Sequence, residues 1–290
     1  MPQAKVNGIE IEYVTEGDPS DPALLLVMGL GAQLTTWPLG FVDGLRQRGF
    51  FIIRFDNRDS GLSTKFEGLP DIMAMFSGSD LSSTIYRIED MADDAAALLA
   101  ELGIAKTHVV GVSMGGMITQ ALVINHPELV LTASSIMSTT GDRAVGAPTG
   151  EAMAALLRPM ATSRAEAIDA SVEGSRVIGS PAYPTDEQLL RERAAAAYDR
   201  SYCPEGTVRQ LGAILGSPDR TEGLHRVRIP FLVVHGEADQ LVTPSGGEAT
   251  AAAVPGSRLI TITGMGHDLP EPLWGTIMDA LVATTALAAV

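Results

Sequence analysis

Val109-Val110-Gly111-Val112-Ser113-Met114-Gly115-Gly116-Met117-Ile118-Thr119-Gln120 decides how this chain is read. The apolar run from His108 to Val112 predicts a buried strand. It stops at Gly-x-Ser-x-Gly, and the apolar segment Ile118-Thr119-Gln120-Ala121-Leu122-Val123-Ile124 predicts a helix directly after it. Strand, sharp turn and helix in that order form a nucleophile elbow, with Ser113 at its apex. To present its hydroxyl above a sheet, the serine must take a strained backbone conformation. Gly111 and Gly115 remove side chains that would collide across the turn. The helix then begins beneath Ser113, so its first amide N–H groups face any negative charge that forms there.

Working outward, strands and helices alternate on both sides. Upstream, Val6 to Val14 alternates in polarity around Asn7-Gly8, which predicts an antiparallel edge hairpin. Ala23 to Met28 is continuously apolar, as a central strand should be. It runs into Gly29-Leu30-Gly31, and a helix is predicted near Phe41 to Arg48. Phe50 to Phe55 is the next strand, ending in the polar loop Asp56-Asn57-Arg58-Asp59-Ser60-Gly61-Leu62-Ser63. Residues 64–86 show no regular pattern, and Met73, Met75 and Phe76 within them are expected to pack in the core rather than face a pocket. Ile88 to Leu102 places Met91, Ala95, Leu98, Leu99 and Leu102 on one helical stripe, with Gly103 as its stop.

Downstream, Leu129 to Met137 is a strand. From Ser138 to Asp219 the composition shifts to Ala, Arg and Glu, with helical patches at Gly150–Met160, Arg164–Val177 and Thr185–Asp199 and no convincing strand. The alternation then returns: a strand from Ile229 to His235, a helix from Pro244 to Ala253, a strand from Arg258 to Ile262 and a helix from Pro272 to Ala289. The expected architecture is α/β: a mostly parallel sheet with helices on both faces, formed by residues 1–137 and 220–290, with a helical cap inserted at 138–219. In such sheets ligands sit at the carboxyl ends of the strands.

Bulk composition narrows the function. The 290 residues are 46% hydrophobic and 19% charged, as in a globular protein able to bury a large core. The formal charge of −15, without a basic run, argues against a nucleic-acid partner. The single cysteine, Cys203, sits in Ser-Tyr-Cys-Pro with no elbow around it and is expected to be a small, semi-buried residue. One cysteine allows no intrachain disulfide and no cysteine-built metal site. There is no apolar leader segment and no window near the ~18 apolar residues of a membrane span, so the cytoplasm is the expected compartment.

A serine hydroxyl needs a base, and the base needs a partner that fixes its tautomer. Of the five histidines, His108 precedes the elbow strand, His126 ends a helix before Pro127, and His225 lies in a basic loop. His235 ends a strand just before an acidic loop. His267, in Gly264-Met265-Gly266-His267-Asp268 after the last strand, is where the order Ser…Asp…His requires the base. Asp239 is the expected acid by its loop position, with Glu237, Asp142 and Asp268 as competitors. An oxyanion needs two donors. The amide of Met114, next to the nucleophile, is one. The amide of Leu30, or alternatively Gly29, is the other.

These residues together resemble the α/β-hydrolase superfamily over essentially the whole chain. The motifs that carry the resemblance are Met28-Gly29-Leu30-Gly31 with Trp37-Pro38, the loop Asp56 to Ser63, the elbow, His235-Gly236-Glu237-Ala238-Asp239, and Gly264 to His267. Within the superfamily the chain is most similar to bacterial serine esterases of the aclacinomycin methylesterase type. The resemblance implies a Ser–Asp–His triad, a two-amide oxyanion hole, a helical cap and no cofactor. Members commonly carry His-Gly where this chain has Met28-Gly29, so that histidine's hydrogen bonding is absent. Serine at the elbow separates the chain from relatives that use an aspartate there. The expected activity is hydrolysis of small-to-medium, partly hydrophobic carboxylic esters through an acyl-enzyme. The rivals are lactone opening, C–C bond hydrolysis, perhydrolysis or acyl transfer on the same residues, or a silent ligand binder.

Overall fold

The computed structural model describes residues 2–288. Eight strands form one sheet in the order β1-β2-β4-β3-β5-β6-β7-β8. They are β1 (Gln3–Val6), β2 (Ile9–Glu16), β3 (Ala23–Val27), β4 (Phe51–Phe55), β5 (Thr107–Val112), β6 (Val130–Ile136), β7 (Phe231–Gly236) and β8 (Arg258–Ile262). β1 and β2 are antiparallel, and every pairing from β4 through β8 is parallel. The β1–β2 turn holds Asn7 at φ 48° and Gly8 at φ 79°, the left-handed pair that an Asn-Gly hairpin turn requires.

The central strands are apolar on both sides because both sides are covered. Leu25, Val27 and Ile53 face a core shared with α3 (Ile88–Glu101) and α4 (Met114–Asn125). Leu24, Leu26 and Ile52 face the other core, with Phe41 and Leu45 of α1 (Leu39–Gln47) and Ile277 and Leu281 of α11 (Trp274–Thr285). Each such side chain, fully buried, contributes about 1.5–3 kcal/mol. α10 (Ser245–Ala253) joins β7 to β8. The sequence-predicted final helix reaches Ala289, which lies outside the described residues; the helix observed ends at Thr285.

Two stretches differ from expectation. Residues 64–86, without visible periodicity, contain α2 (Ile72–Ser77), started by the Asp71 side chain accepting the Ala74 N–H and stopped by Gly78 at φ 69°. Met75 is fully buried, Phe76 is half-buried, and Met73 is 68% exposed, so core packing holds for Met75 but not for Met73.

Between β6 and β7 the chain inserts α5 (Gly150–Leu156), α6 (Arg164–Ile178), α7 (Glu187–Arg200), α8 (Pro204–Gly216) and α9 (Thr221–Leu224). The first three lie where the pattern places them. α8 and the four-residue α9 are additional; the interior glycines of α8 weaken helix propensity and hide it from a sequence reading. Packing explains them. A Cβ on Gly206 would sit 2.2 Å from the Asp59 carbonyl, and one on Gly212 would sit 2.7 Å from Pro70. Tertiary contact therefore selects glycine where propensity disfavours it.

Candidate active site

The site is built from the ends of β3, β5, β7 and β8. β5 is buried along its whole length and delivers Ser113 at φ 55°, ψ −121°. That strained conformation is locked from both sides. The Ser113 N–H donates to Ile136 O at 2.9 Å, and the Ser113 carbonyl accepts from Gly116 N at 2.8 Å. A Cβ on Gly111 would lie 2.0 Å from Gly115 O, and one on Gly115 would lie 2.1 Å from Val27 O. No larger residue fits either position without moving backbone. α4 follows at once and is buried from Met114 to Val123, Thr119 and Gln120 included.

Asp239 follows β7 and is 3% exposed. Its Oδ1 accepts the amides of Leu241 (2.9 Å) and Val242 (3.0 Å). Its Oδ2 accepts from His267 Nδ1 at 2.7 Å. Because a carboxylate only accepts, Nδ1 carries a proton, and in the neutral imidazole Nε2 is the nitrogen that keeps its lone pair. Burial acts to raise the Asp239 carboxyl pKa. The facing His235 and His267 rings and the Val242 amide outweigh it and bring the carboxyl down to about 2. Asp239 is thus ionised across the neutral range.

His267 lies in the loop after β8, and that loop is stitched to its surroundings. Ala238 N donates to Met265 O at 2.9 Å, tying it to the acid loop. His267 N donates to Ile178 O at 2.7 Å, and Gly266 N to Ser180 Oγ at 2.8 Å. The Ser180 hydroxyl in turn donates to Asp268 Oδ1. The turn after α6 therefore holds the backbone that carries His267. The structure brings Asp239 and His267 into direct contact. Ser113 Oγ forms no hydrogen bond with His267 or with any other described residue. Such contacts are often loose before substrate binds.

The remaining candidates separate cleanly. Glu237 is exposed and accepts from Thr263. Asp142 accepts the Ala144 amide, and Asp268 is taken by Ser180. His108 contacts Thr132, and burial lowers its pKa; His126 pairs with Asp93, and His225 lies near Glu222. His235 does meet the acid, though not as the base proposed by chain order. Fully buried, its Nε2 lies 2.8 Å from Val242 O and 3.5 Å from Asp239 Oδ2, so its proton goes to the carbonyl first and the carboxylate second. Its only sequence signal is the position four residues before Asp239.

At the end of β3, Gly29 lies against Ser113: a Cβ there would be 3.1 Å from the Ser113 Cβ. Ala32 N donates back to Gly29 O at 3.2 Å, closing a turn, and Gly31 N donates to Gln210 Oε1 at 2.7 Å. Among the described residues, no protein acceptor takes the amide of Gly29, Leu30 or Met114. A cavity of about 290 Å³ opens beside this loop, bounded by Gly31 and Gln33 below and by Tyr198, Tyr202 and Thr207 of the insertion above. A second hollow, of about 570 Å³, lies at the opposite end of the sheet, where Lys106 precedes β5 and Pro230 precedes β7. None of Ser113, Asp239 and His267 borders either hollow. Among the described residues, no group of three or more His, Cys, Asp or Glu side chains is placed to hold a metal ion, and no helix is long and apolar enough to cross a membrane.

Comparison with known proteins agrees with this architecture. Residues 22–271 match the α/β hydrolase fold family, and the chain belongs to it. Over its full length it is 29% identical to rhodomycin D methylesterase DauP of Streptomyces sp. (strain C5), all of which is covered. It is 28% identical, again over the whole of both chains, to rhodomycin D methylesterase DnrP of Streptomyces peucetius. Among solved structures, an enol-lactonase from Burkholderia xenovorans LB400 superposes with a TM-score of 0.76 at 22% identity, covering 98% of this chain and 100% of that one.

Proposed function

We propose that this protein is a serine carboxylic ester hydrolase in which Ser113 is the nucleophile, His267 the base and Asp239 the orienting acid. The 2.7 Å contact between His267 Nδ1 and Asp239 Oδ2 carries the reading, because it leaves Nε2 as the proton acceptor. In this reading Ser113 Oγ attacks the ester carbonyl as His267 takes its proton. The amides of Leu30 and Met114 bind the oxyanion, with Gly29 as the alternative to Leu30. The tetrahedral intermediate expels the alcohol, which takes the proton back from His267. Water, deprotonated by His267, then releases the acid from the acyl-enzyme.

The insertion, residues 138–219, acts as a cap that shapes the substrate pocket. Apolar Leu156, Met160 and Val208 with Tyr198 and Tyr202 line the cavity beside Gly31; Ser113 does not border it, so in this reading it takes the part of a partly hydrophobic ester away from the reacting carbonyl. The full-length likeness to two methylesterases favours a methyl ester over a long-chain alcohol ester. The test is hydrolysis of p-nitrophenyl butyrate, followed by a panel of methyl esters, acyl lengths and lactones. Ser113→Ala is expected to lower kcat by about 10⁴- to 10⁶-fold with the fold intact. Native rates in purified Ser113→Ala protein would refute the assignment.

A further inference from the structure

We infer that Gln210, on α8 of the cap, is the positioning residue that sets the oxyanion loop. The inference rests on the esterase reading above and concerns which group aims its donors. Gln210 is fully buried, and both ends of its amide are committed. Oε1 accepts the Gly31 N–H at 2.7 Å, and Nε2 donates to the Arg58 carbonyl at 2.7 Å. The orientation is unambiguous, since only the carbonyl end accepts and only the NH₂ end donates. One side chain thus bridges the loop after β3 and the loop after β4.

Its effect on the loop is selective. Gly31 stands at φ 66°, a left-handed conformation. α8 presses on it from above, so that a Cβ there would meet Thr207 Oγ1 at 2.8 Å. With the Gly31 amide drawn up to Gln210 and the Ala32 amide turned back to Gly29 O, the preceding amides are left for the substrate. Among the described residues, Gln210 is the one cap side chain that takes a backbone amide of residues 29–32. Without it, the Gly31 N–H has no protein acceptor, and the peptides of the loop are free to rotate. An oxyanion donor works only within about 2.7–3.1 Å of the developing charge.

Docking of the cap does not depend on this residue. Arg200 pairs with Asp56 at 2.8 Å, Arg209 pairs with Asp59 at 2.8 Å, and Gln33 Nε2 donates to the carbonyls of Ala197 (2.7 Å) and Ser201 (2.9 Å). A defect at Gln210 should therefore appear in transition-state binding rather than in cap attachment.

The test compares Q210M, nearly isosteric but without an acceptor for Gly31, with Q210E, which keeps that acceptor and loses the amide donor. Steady-state kinetics on p-nitrophenyl butyrate, Tm and the Ki of an alkyl boronic acid, which forms a tetrahedral adduct on serine, are measured for both and for native enzyme. Q210M should lose about 10- to 100-fold in kcat with KM within about threefold, and boronate affinity should weaken in parallel. Q210E should recover most of both. Should Q210M not fold, Q210N, one methylene short of both partners, carries the same test. A Q210M or Q210N enzyme with native kcat and boronate affinity overturns the inference. So does a loss confined to KM, or one that Q210E shares in full. Native enzyme that hydrolyses no ester sinks the esterase reading instead, so the two failures are distinguishable.

Discussion

Two loops at the carboxyl end of the sheet each bury an aspartate, and they do opposite things with it. Asp59, after β4, is 2% exposed; Asp239, after β7, is 3% exposed. Asp59 receives two hydrogen bonds from Arg209, at 2.9 and 2.8 Å, and a third from the Tyr86 hydroxyl at 2.6 Å. Burial and the Asp59 charge push the Tyr86 hydroxyl far above its ordinary range, so it remains a donor. Asp239 receives an imidazole at 2.7 Å, with a second 3.5 Å away. An arginine never releases its proton near neutrality, so Asp59 is a permanent anchor for α8. A histidine does release its proton, so in the proposed reading the same carboxylate chemistry serves proton transfer. The partner, rather than the acid, decides the role.

The largest test of that contrast is Asp239→Asn. It should lower kcat/KM by about 10⁴-fold, by favouring the wrong imidazole tautomer, while Tm changes little. Equal loss from Asp142→Asn would show that the acid has been misassigned. Asp59→Asn should do the reverse. Breaking one side of a buried ion pair costs about 3–5 kcal/mol, read as a lower denaturation midpoint. Its kcat, measured where the variant is folded, should stay within about tenfold of native, because the anchor touches no reacting atom. A 10³-fold loss in folded Asp59→Asn protein would erase the distinction between the two loops.

The pH dependence is a smaller effect. Asp239 is held down at about 2 against an ordinary value of 3.8. Its contribution to stability, of order 2 kcal/mol, is complete above about pH 4 and is lost as pH falls through about 2. Acid titration of stability in native protein should therefore be steeper over pH 2–4 than in Asp239→Asn. Parallel curves would mean that Asp239 is not depressed. The smallest effect is expected at Asp142, half-buried and bonded only within its own turn. Asp142→Asn should leave kcat/KM within about twofold of native.

How much was readable beforehand follows from the range of each interaction. The elbow is local: Gly111 and Gly115 answer to backbone clashes within one turn and the neighbouring β3 end, and five residues announce it. The strand order follows from apolar runs and turn residues. Asp239 and His267 were reachable because they follow strand ends, and the parallel sheet sends those ends to one edge. Gln210 had no such signal. Its partners, Gly31 and Arg58, lie 179 and 152 residues away in sequence. Ser180, which steadies the His267 loop, is equally silent in the sequence, as one serine among many after a helix.

By itself the amino-acid sequence determined the family architecture, the strand–turn–helix at Ser113 and the placing of Asp239 and His267 just past strand ends, because each is written in local sterics and in periodicity along the chain. Tertiary structure alone decided which buried carboxylate meets histidine and which meets arginine, why α8 carries glycines, and how the insertion reaches both the β3 loop and the His267 loop. Those outcomes depend on atoms packed within 3 Å across long sequence separations, and no pattern within a single segment encodes them.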